Sequence, residues 1–527
     1  MKRIHLLTLT IIASFTFGIF SACAPQEAHD PFASFDEKVQ AIEGEIIPPV
    51  IQGDTINLIT FANQTPDREG SFNYQPYINE AIQQLAKQGG GTLHFPHTDP
   101  PLKWYKYPQV YRIRGPIVLE SNIELLIDHS VILQFDWDPL SYLPNDKGVL
   151  RRYEGTTMYG LSPLIYAFRK KNIKITGNKG FGAPPEINGD GENSLRWSQA
   201  IGNEQRSSTS RIYYNDELRQ ANNEGVPLRQ MRFDNLKEHA FRPTMMEFFM
   251  CEQIEVSRIK LSNSPFWLVH PVFSENVTIR ELIFDSQVTN SDGIDAESSH
   301  NVLVEYNIFN NHDDNLAVKA GRDKEGREGV DITGTELANV FSRYIHDNRL
   351  GGPSTNIIFR HNTIQGHFAL AIGSEMSGGV DGVYAYDCTA PVSVKSAVFI
   401  KSSRRRGGYV RNVFVKDFTI NHAPLDLITI IPNYDGDTLA PHVPSFSNLF
   451  FKNIKANTSG SAFRLYGWPD LLTRNVYFEQ VEVKDAAREG VFNHVDSLIL
   501  NEVKVNGELQ EGIFSKSDKA DSPPEQT

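Results

Sequence analysis

The chain has 527 residues, of which 40% are hydrophobic and 22% are charged, as in a soluble protein that buries a substantial core. Its formal net charge of −13 argues against a nucleic-acid partner, because such proteins usually carry a basic face. Three cysteines cannot staple a chain of this length, so the burial of apolar side chains must supply the stability. We predict that Cys251 and Cys388 are buried free thiols.

The first residues have the order of an export signal. Lys2 and Arg3 precede an apolar run over 4–20, and small residues follow up to Cys23. A basic start, an apolar stretch too short to count on as a membrane span and a small-residue break are typical of a signal peptide. We therefore predict a signal peptide over 1–23.

The cysteine at this break indicates a bacterial lipoprotein. We predict that Cys23 is acylated and becomes the new N-terminus, while Phe20, where such signals usually carry Leu, leaves plain secretion open. The protein would then be periplasmic, or an outer-membrane or cell-surface lipoprotein that meets the membrane only through its lipid anchor. Residues 24–44 are expected to form a linker.

Residues 77–88 carry the pattern of an amphipathic helix, which three glycines from Gly89 onward would end. The apolar residues on its shared face are Ile78, Ala81, Ile82, Leu85 and Ala86. We expect this helix to cap the N-terminal end of the domain that follows.

Short runs of β-branched and aromatic residues recur along the chain, and many open with asparagine. Seven of them begin at Asn172, Asn276, Asn301, Asn356, Asn412, Asn448 and Asn475. Gln253 begins a similar run, and the steps from 253 to 276, from 276 to 301 and from 448 to 475 are 23, 25 and 27 positions, with no helical pattern between the runs. This repeat predicts an all-β domain over 45–515, a single right-handed parallel β-helix in which the asparagines occupy equivalent turns and form a ladder.

One repeat is longer than the others. Asn301 and Asn356 are 55 positions apart, and the excess falls in a charged, glycine-rich stretch at about 322–354. A long insertion in a regular coil usually lies beside a binding site. Residues 516–527 are polar and proline-bearing, and we expect a disordered tail there.

Three aspartates have a spacing that would bring their carboxylates together on adjacent coils. Asp292 and Asp313 lie 21 positions apart, close to one coil, and Asp314 follows directly. Carboxylates stacked on adjacent coils repel, which raises at least one pKa and keeps a proton available for cleavage of a glycosidic bond. Asp295 is interpreted as a turn residue, and a calcium site is the competing interpretation of the cluster.

Basic residues follow on later coils. His367 lies 11 positions after the start of its repeat, in nearly the same phase as Asp313, so we assign it to the same site. Lys401 is followed by Arg404, Arg405 and Arg406, which form either a local basic patch for an acidic substrate or a solvated loop.

The ordered motifs resemble those of bacterial polygalacturonases of glycoside hydrolase family 28 over roughly residues 45–510. The Asn-Thr-Asp motif of that family corresponds to residues 290–292, where Ser291 stands for the threonine, and its Asp-Asp motif corresponds to Asp313 and Asp314. Its Gly-His-Gly motif corresponds to residues 366–368, where Phe368 stands for the last glycine.

Two further matches concern substrate binding. The family's Arg-Ile-Lys motif aligns with residues 399–401, where Phe399 replaces the arginine, and its downstream tyrosine is best matched by Tyr434. Phrases at 319–323 and 373–379 are also similar to bacterial members.

The resemblance implies an inverting hydrolase that cleaves α-galacturonosyl linkages in pectin without a metal or cofactor, with a pectic polysaccharide as its partner and a monomer as its state. Asp313 would be the general acid, Asp292 and Asp314 would hold and deprotonate the attacking water, and His367 would tune the acid. The substrate-binding candidates are Lys401, Tyr434, Asn290, Arg406, Lys319 and Arg322.

The departures leave the exact substrate open. Phe399 removes a bidentate partner for a substrate carboxylate, which a lysine cannot replace in geometry. A decorated or rhamnose-bearing pectin is therefore considered beside homogalacturonan, and exo action beside endo action. The alternatives from other classes are a pectate lyase and a non-catalytic β-helical protein that binds pectin at the cell surface.

Overall fold

The computed structural model describes residues 30–66, 70–98, 108–144, 147–178, 180, 182–191, 210–235 and 241–514. The predicted signal peptide 1–23, with Cys23, and the predicted tail 516–527 lie outside the described residues. Among the described residues, no helix is both long and apolar enough to span a membrane.

The chain winds into a solenoid of parallel strands, and the predicted right-handed parallel β-helix is confirmed. Each complete coil contributes one strand to each of three faces, which we name the first, second and third face in chain order. The coil that spans residues 275–297 is an example, with strands Glu275–Arg280, Ile283–Ser286 and Ile294–Glu297.

The faces are built as follows. The other strands of the first face are Asp54–Asn57, Gly91–Phe95, Ile123–Ile127, Lys171–Gly177, Glu252–Ser257, His300–Glu305, Ser354–Arg360 and Thr473–Glu479. Those of the second face are Gln109–Ile113, Val131–Phe135, Glu186–Asn188, Lys260–Ser262, Ile308–Asn311, Thr363–Gln365 and Glu482–Ala486. Four long strands pass through both faces: Val380–Ser393, Tyr409–Ala423, Ser445–Ser459 and Val495–Val505. Strand Glu508–Phe514 pairs antiparallel with the last of these.

In the part of the chain that the structure describes, the third face consists of eleven parallel strands. Besides Ile294–Glu297, they are Ile117–Val118, Ile165–Phe168, Met246–Phe249, Val269–Val272, Leu316–Lys319, Phe368–Ile372, Ser396–Lys401, Ile428–Ile431, Phe463–Tyr466 and Val491–Asn493. The remaining strands and helices are Val149–Tyr153, Thr156–Gly160, Val330–Asp331, Ile345–His346, Arg349–Leu350, Phe35–Glu45, Leu58–Ala62, Gln75–Lys87, Ser210–Glu224 and Asp323–Glu328, with short 3-10 turns Pro139–Tyr142 and Leu228–Gln230.

The core is a stack of inward-facing apolar rows. Val277, Val302 and Ile357 pair in register on successive coils of the first face, and all three are fully buried. Because side chains alternate along a strand, every second residue enters this core and its neighbours face outward. Cys251 and Cys388 are both free and buried, as predicted, and burial raises the pKa of each thiol to about 12.

The asparagine ladder is present. The Asn356 amide donates to the side-chain oxygen of Asn301 at 3.0 Å, and Asn448 donates to Asn412 at the same distance. All four residues have φ between 55° and 58°, a left-handed conformation that asparagine tolerates better than most residues. The repeat seen in the sequence is therefore a repeat of turns.

The N-terminal cap also follows the prediction. The helix Gln75–Lys87 buries Ile78, Ile82 and Leu85 against the first coils, and its end at Lys87 lies within a residue of the expected one. Such a cap shields the edge of the solenoid from pairing with another chain.

The linker predicted over 24–44 is wrong for its second half. Phe35–Glu45 is a helix whose buried Phe35 and Val39 pack on the outer side of the first face. There the helix covers a column of large apolar side chains, one per coil: Leu303, Ile358, Tyr384, Phe414, Phe450 and Tyr477. An outward-facing apolar column needs such a cover, because exposed apolar patches of this size are unfavourable in water.

A separate lobe stands on the first coils of the third face. It combines the hairpin Val149–Gly160, the helix Ser210–Glu224 and the insertion at 322–354, which is well structured and not an open loop. Its apolar cluster covers the outward side of the strands Ile165–Phe168, Met246–Phe249 and Val269–Val272. The next strand, Ile294–Glu297, contributes no side chain to this apolar cluster. The candidate site begins at this strand.

Candidate active site

The three predicted aspartates meet at the start of two adjacent strands of the third face. Ile294 pairs with Leu316, so Asp292 and Asp314 hold the same position on consecutive coils. The Gly293 backbone N–H donates to the Asp314 carbonyl at 2.8 Å and fixes this register. The coil stacking inferred from a 21-residue step therefore brings the carboxylates together, with Asp314 directly in register.

Asp292 is buried beside a lysine. The Lys319 ammonium lies 3.2 Å from its carboxylate. Burial and the charge of Asp295 raise the pKa of Asp292 well above its ordinary range, while the charge of Lys319 lowers it. The pKa of Asp292 is therefore sensitive to the charge of the buried Lys319.

Asp295 is not a turn residue, contrary to the interpretation from the sequence. It lies in the strand Ile294–Glu297, is fully buried and faces the Lys319 ammonium at 3.3 Å. Burial raises its pKa to about 7, although Lys319 and His270 lower it. Its side chain alternates outward with Glu297, so Asp295 belongs to the charged layer of the site.

Asp314 pairs with Lys401. The lysine ammonium donates to the Asp314 carboxylate at 2.9 Å, and both side chains are almost fully buried. Three aromatic rings surround the same ammonium at 5.0 to 5.3 Å from their centroids: Phe368, Phe399 and Tyr434. Rings at this distance attract a cation, so the lysine is held from both sides.

Asp313 has a different partner. Its carboxylate lies 3.5 Å from Nδ1 of His367, and among the described residues no lysine or arginine comes within 4 Å of it. Burial and the charge of Asp314 raise the pKa of Asp313. Of the three aspartates, Asp313 is the most exposed and the one without an ammonium neighbour.

His367 is a neutral imidazole of one tautomer. Burial and the nearby Lys395 ammonium lower its pKa to about 4. Lys395 lies 2.7 Å from Nε2, and an ammonium can only donate, so Nε2 accepts and the proton sits on Nδ1. That N–H faces Asp313 and can donate to its carboxylate once the proton of Asp313 has left.

A second layer of charges lies behind the aspartates. Glu375 contacts Lys319 at 3.6 Å, Arg322 at 3.2 Å and Arg406 at 3.4 Å. Burial alone would raise the pKa of Glu375, but these three cations outweigh it and hold the pKa far below its ordinary range. Arg322, Arg406 and Lys319, predicted to bind substrate, are thus each buried and paired with carboxylates of the protein.

The other two binding candidates differ in exposure. Asn290 has φ near 60°, and its side-chain oxygen accepts from Arg242 at 2.9 Å, which fixes the turn before Asp292. Tyr434 is 44% exposed and stands beside Phe399, with ring centroids 6.1 Å apart. Of all the predicted binding residues, Tyr434 offers the largest free surface to a ligand.

The basic run at 404–406 lies in a turn and is not a free basic patch. Arg404 forms a bidentate pair with Asp470. Arg405 pairs with Asp437 at 3.3 Å, and Arg406 is buried against Glu375. Each guanidinium therefore has a carboxylate partner within the protein.

The competing calcium interpretation fits the donors poorly. Asp313, Asp314 and His367 could offer one ligand atom each within 4.8 Å of one another. Calcium takes six to eight oxygen ligands, whereas this set provides two carboxylates and a nitrogen. Lys319 and Lys401 lie 4.0 and 2.9 Å from the Asp314 carboxylate, so a metal ion bound by Asp314 would be repelled by two ammonium groups.

Comparison with known proteins decides the family. A model of glycosyl hydrolases family 28 matches residues 219–497. A probable polygalacturonase of Vitis vinifera is 32% identical over 427 residues, which cover 78% of this chain and 71% of that protein. The chain belongs to glycosyl hydrolases family 28. It is therefore a hydrolase of glycosidic bonds.

Solved structures of family 28 agree with this assignment. A hyperthermoactive exopolygalacturonase from Thermotoga maritima matches with a TM-score of 0.76 and 29% identity, covering 92% of this chain and 99% of that one. A Yersinia enterocolitica family 28 exopolygalacturonase matches with a TM-score of 0.65, covering 88% and 78% of the two chains. At 17% identity, the second match supports the fold alone.

The two aromatic departures from the family 28 motifs, Phe368 and Phe399, are in contact with each other. Phe368 stands where the motif has glycine and Phe399 where it has arginine, and their ring centroids are 4.6 Å apart. This chain therefore has two packed aromatic rings where the motifs have a glycine and an arginine. The surface beside Lys401 is apolar as a result.

The sequence missed three residues of this site. Asp295 carried a signal within the motif around Asp292 but was assigned to a turn. Glu375 stands in a phrase that resembled bacterial family 28 members, yet its role was not predicted. Lys395 had no sequence signal, since only the stacking of coils brings it within 2.7 Å of His367.

Proposed function

We propose that this family 28 enzyme hydrolyses α-galacturonosyl linkages in pectin with inversion at the anomeric carbon. The observation that carries the proposal is that the three aspartates have different partners. Asp292 and Asp314 each contact a lysine ammonium, whereas Asp313 contacts a neutral histidine. Glycosidic cleavage needs one protonated carboxyl beside ionised ones.

Asp313 acts as the general acid. Its raised pKa keeps the proton available, and its partial exposure lets it reach the glycosidic oxygen. As the bond between the anomeric carbon and that oxygen breaks, the proton of Asp313 passes to the leaving group. The Nδ1 proton of His367 then faces a newly formed carboxylate and stabilises it.

Asp292 and Asp314 act on the water. Their carboxylates are held on adjacent coils by contacts with the Lys319 and Lys401 ammonium groups. The attacking water gives one proton to this pair while its oxygen bonds to the anomeric carbon. The product therefore carries the inverted configuration, and no metal ion or cofactor takes part in the proposed steps.

The lobe on the first coils supports exo action. It covers the outward side of the strands up to Val269–Val272, directly before the coil of Asp292. The Arg322 backbone N–H donates to the Gly155 carbonyl at 2.9 Å, so the insertion and the hairpin close against each other. We call the outward side of the third face from the strand Ile294–Glu297 onward the groove. A polysaccharide bound there would extend only towards the later coils, which favours release of one terminal unit per cleavage.

The cellular setting belongs to the proposal as well. The basic and apolar start of the chain, with Cys23 at its break, supports export and a lipid anchor in a bacterium. A large extracellular polymer as substrate fits that location. We propose a monomer, since the edges of the solenoid are capped by the helix Gln75–Lys87 and the antiparallel strand Glu508–Phe514.

The proposal is tested by digesting homogalacturonan and rhamnogalacturonan side by side and resolving the products by size over time. We expect saturated galacturonate as the first and dominant product, unaffected by a chelator. A ladder of intermediate sizes would contradict exo action. An unsaturated, ultraviolet-absorbing product lost in chelator would indicate a lyase, and binding without any product would indicate a non-catalytic protein.

A further inference from the structure

The groove continues beyond Lys401 on the outward side of the third face. Lys401 pairs in register with Ile431, and the neighbouring Ile430 pairs with Leu465. Tyr466, the next residue after Leu465, is therefore aligned with Lys401 two coils away. At a β spacing of about 4.8 Å, this distance is roughly 10 Å along the groove.

A cavity of about 220 Å³ lies at this point. Its lining residues are Pro432, Asn433, Tyr466, Gly467, Trp468, Pro469, Asn493 and His494. They come from three successive coils, and Tyr466 pairs directly with Asn493. The cavity thus lies on the same outward side of the third face as the aspartates, and its lining residue Asn433 directly precedes Tyr434 in the chain.

The indole of Trp468 is held firmly in this cavity. Its Nε1 donates to the Pro432 carbonyl at 3.0 Å, and two backbone hydrogen bonds with Leu471 close the turn in which it sits. The Arg404 guanidinium lies 5.1 Å from the ring centroid. A ring fixed by these contacts loses little conformational freedom when a ligand packs on it.

The charges of the lining determine what it can bind. Neither lysine nor arginine lines the cavity, and the charge of the neighbouring Arg404 is already paired with Asp470. A galacturonate carboxylate buried here would find no lysine or arginine in the lining, where His494 is the one basic side chain, and burial of a charge without a firm partner is costly. Amide groups of Asn433 and Asn493, beside the aromatic rings, instead suit the hydroxyls and apolar face of an uncharged sugar.

The two aromatic substitutions lead towards this cavity. Phe368 and Phe399 pack together beside Lys401, and Tyr434 follows at 6.1 Å from Phe399. They form an aromatic surface between the aspartates and the cavity. Between Lys401 and Trp468, the groove therefore presents aromatic rings, and the guanidinium of the outward-facing Arg464 in this stretch is paired with Asp426.

We propose that the cavity around Trp468 binds an uncharged sugar residue of the pectic chain, about two coils beyond Lys401. This inference rests on the proposed function and narrows its substrate to pectins in which neutral sugars alternate with or decorate galacturonate. Trp468 is a binding residue in this proposal and takes no part in bond cleavage.

The test compares Trp468→Ala with the wild-type enzyme on three substrates. These are digalacturonate and two longer oligosaccharides of equal length with galacturonate at the non-reducing end, one from homogalacturonan and one from rhamnogalacturonan. Loss of one aromatic stacking contact should raise KM for the rhamnogalacturonan fragment about tenfold with kcat little changed. Kinetics on digalacturonate should stay unchanged, and Trp468→Phe should restore most of the affinity.

A second variant does not depend on removing a large side chain. Asn433→Lys places a cation in the lining and should lower KM for the homogalacturonan fragment while raising it for the rhamnogalacturonan fragment. Equal effects of either variant on both fragments, or none on the rhamnogalacturonan fragment, would overturn the proposal. If the wild-type enzyme released no galacturonate from any of the three substrates, the proposed hydrolysis itself would instead be overturned.

Discussion

Lys319 is the residue on which the charge state of the site depends most. Its buried ammonium lies between Asp292, Asp295 and Glu375, at 3.2, 3.3 and 3.6 Å. Removal of one member of a buried charge cluster typically costs about 3–5 kcal/mol, because the others are left uncompensated. The role of Lys319 is therefore to hold carboxylates, although the sequence predicted contact with substrate.

We predict a shifted pH profile for Lys319→Met. The charge of Lys319 lowers the pKa of Asp292, so its removal raises that pKa and keeps the water-activating carboxylate protonated to higher pH. The acidic limb of the kcat/KM profile should then move to higher pH, with a lower maximum. The exposed Lys171→Met serves as the control, and an unmoved acidic limb in an otherwise folded Lys319→Met enzyme would contradict this role.

Lys395 should control the proton of His367. The pKa of His367 is about 4 because of burial first and the Lys395 ammonium second. Lys395→Met should raise this pKa but leave it below 6.5, since burial remains. Nuclear magnetic resonance titration of the imidazole measures the change. If the pKa stays near 4 in the variant, the contact at 2.7 Å does not exist in solution.

Among the structural elements, the asparagine turns are the part that the sequence shows best. Each turn is local, needs a left-handed residue and recurs at every coil, so the pattern is visible without knowledge of distant contacts. The amphipathic helix Gln75–Lys87 is visible for the same reason, since its periodic apolar face lies within thirteen residues.

We predict that Asn356→Ala destabilises the protein more than Asn356→Gly. Both variants lose the hydrogen bond to Asn301, worth about 1 kcal/mol. Alanine also has to adopt φ near 58°, which costs about 1–2 kcal/mol more, whereas glycine adopts it freely. Thermal unfolding of the two variants measures the order, and equal melting temperatures would contradict the importance of the turn conformation.

The helix Phe35–Glu45 shows where sequence reasoning ends. The helix has few apolar residues. It is stabilised by the column of large apolar side chains on the first face, which belong to strands several hundred positions later in the chain. The same limit applies to the site. Sequence motifs locate Asp313 and His367. The contacts of Lys395 with His367 and of Glu375 with Lys319 become visible only when the coils stack.

Phe35→Ala tests the importance of this helix. The Phe35 ring packs between Tyr384, Tyr386 and Phe414, with centroids 5.5 to 6.1 Å apart. Removing a buried phenylalanine usually costs about 3–5 kcal/mol. We expect a lower melting temperature and binding of a hydrophobic dye to the uncovered column, with catalytic activity retained at low temperature. No change in either property would show that the helix is dispensable.

At the scale of the whole molecule, the solenoid turns a repeat into a directional groove. The third face aligns side chains from the lobe to the last coil: covered apolar strands come first, then the charged layer of Asp292, Asp314 and Lys401, then aromatic side chains. A polymer that lies along the coils therefore meets a closed end, a reacting centre and an apolar surface in that order.

The central claim is that Asp313 supplies the proton that breaks the glycosidic bond. It is tested most directly by measuring galacturonate release from homogalacturonan and from rhamnogalacturonan by Asp313→Asn, with circular dichroism to establish that the fold is retained. Loss of the general acid should reduce kcat by about 10²–10⁴-fold, with KM little changed. A folded Asp313→Asn enzyme with activity close to the wild-type level would contradict the account.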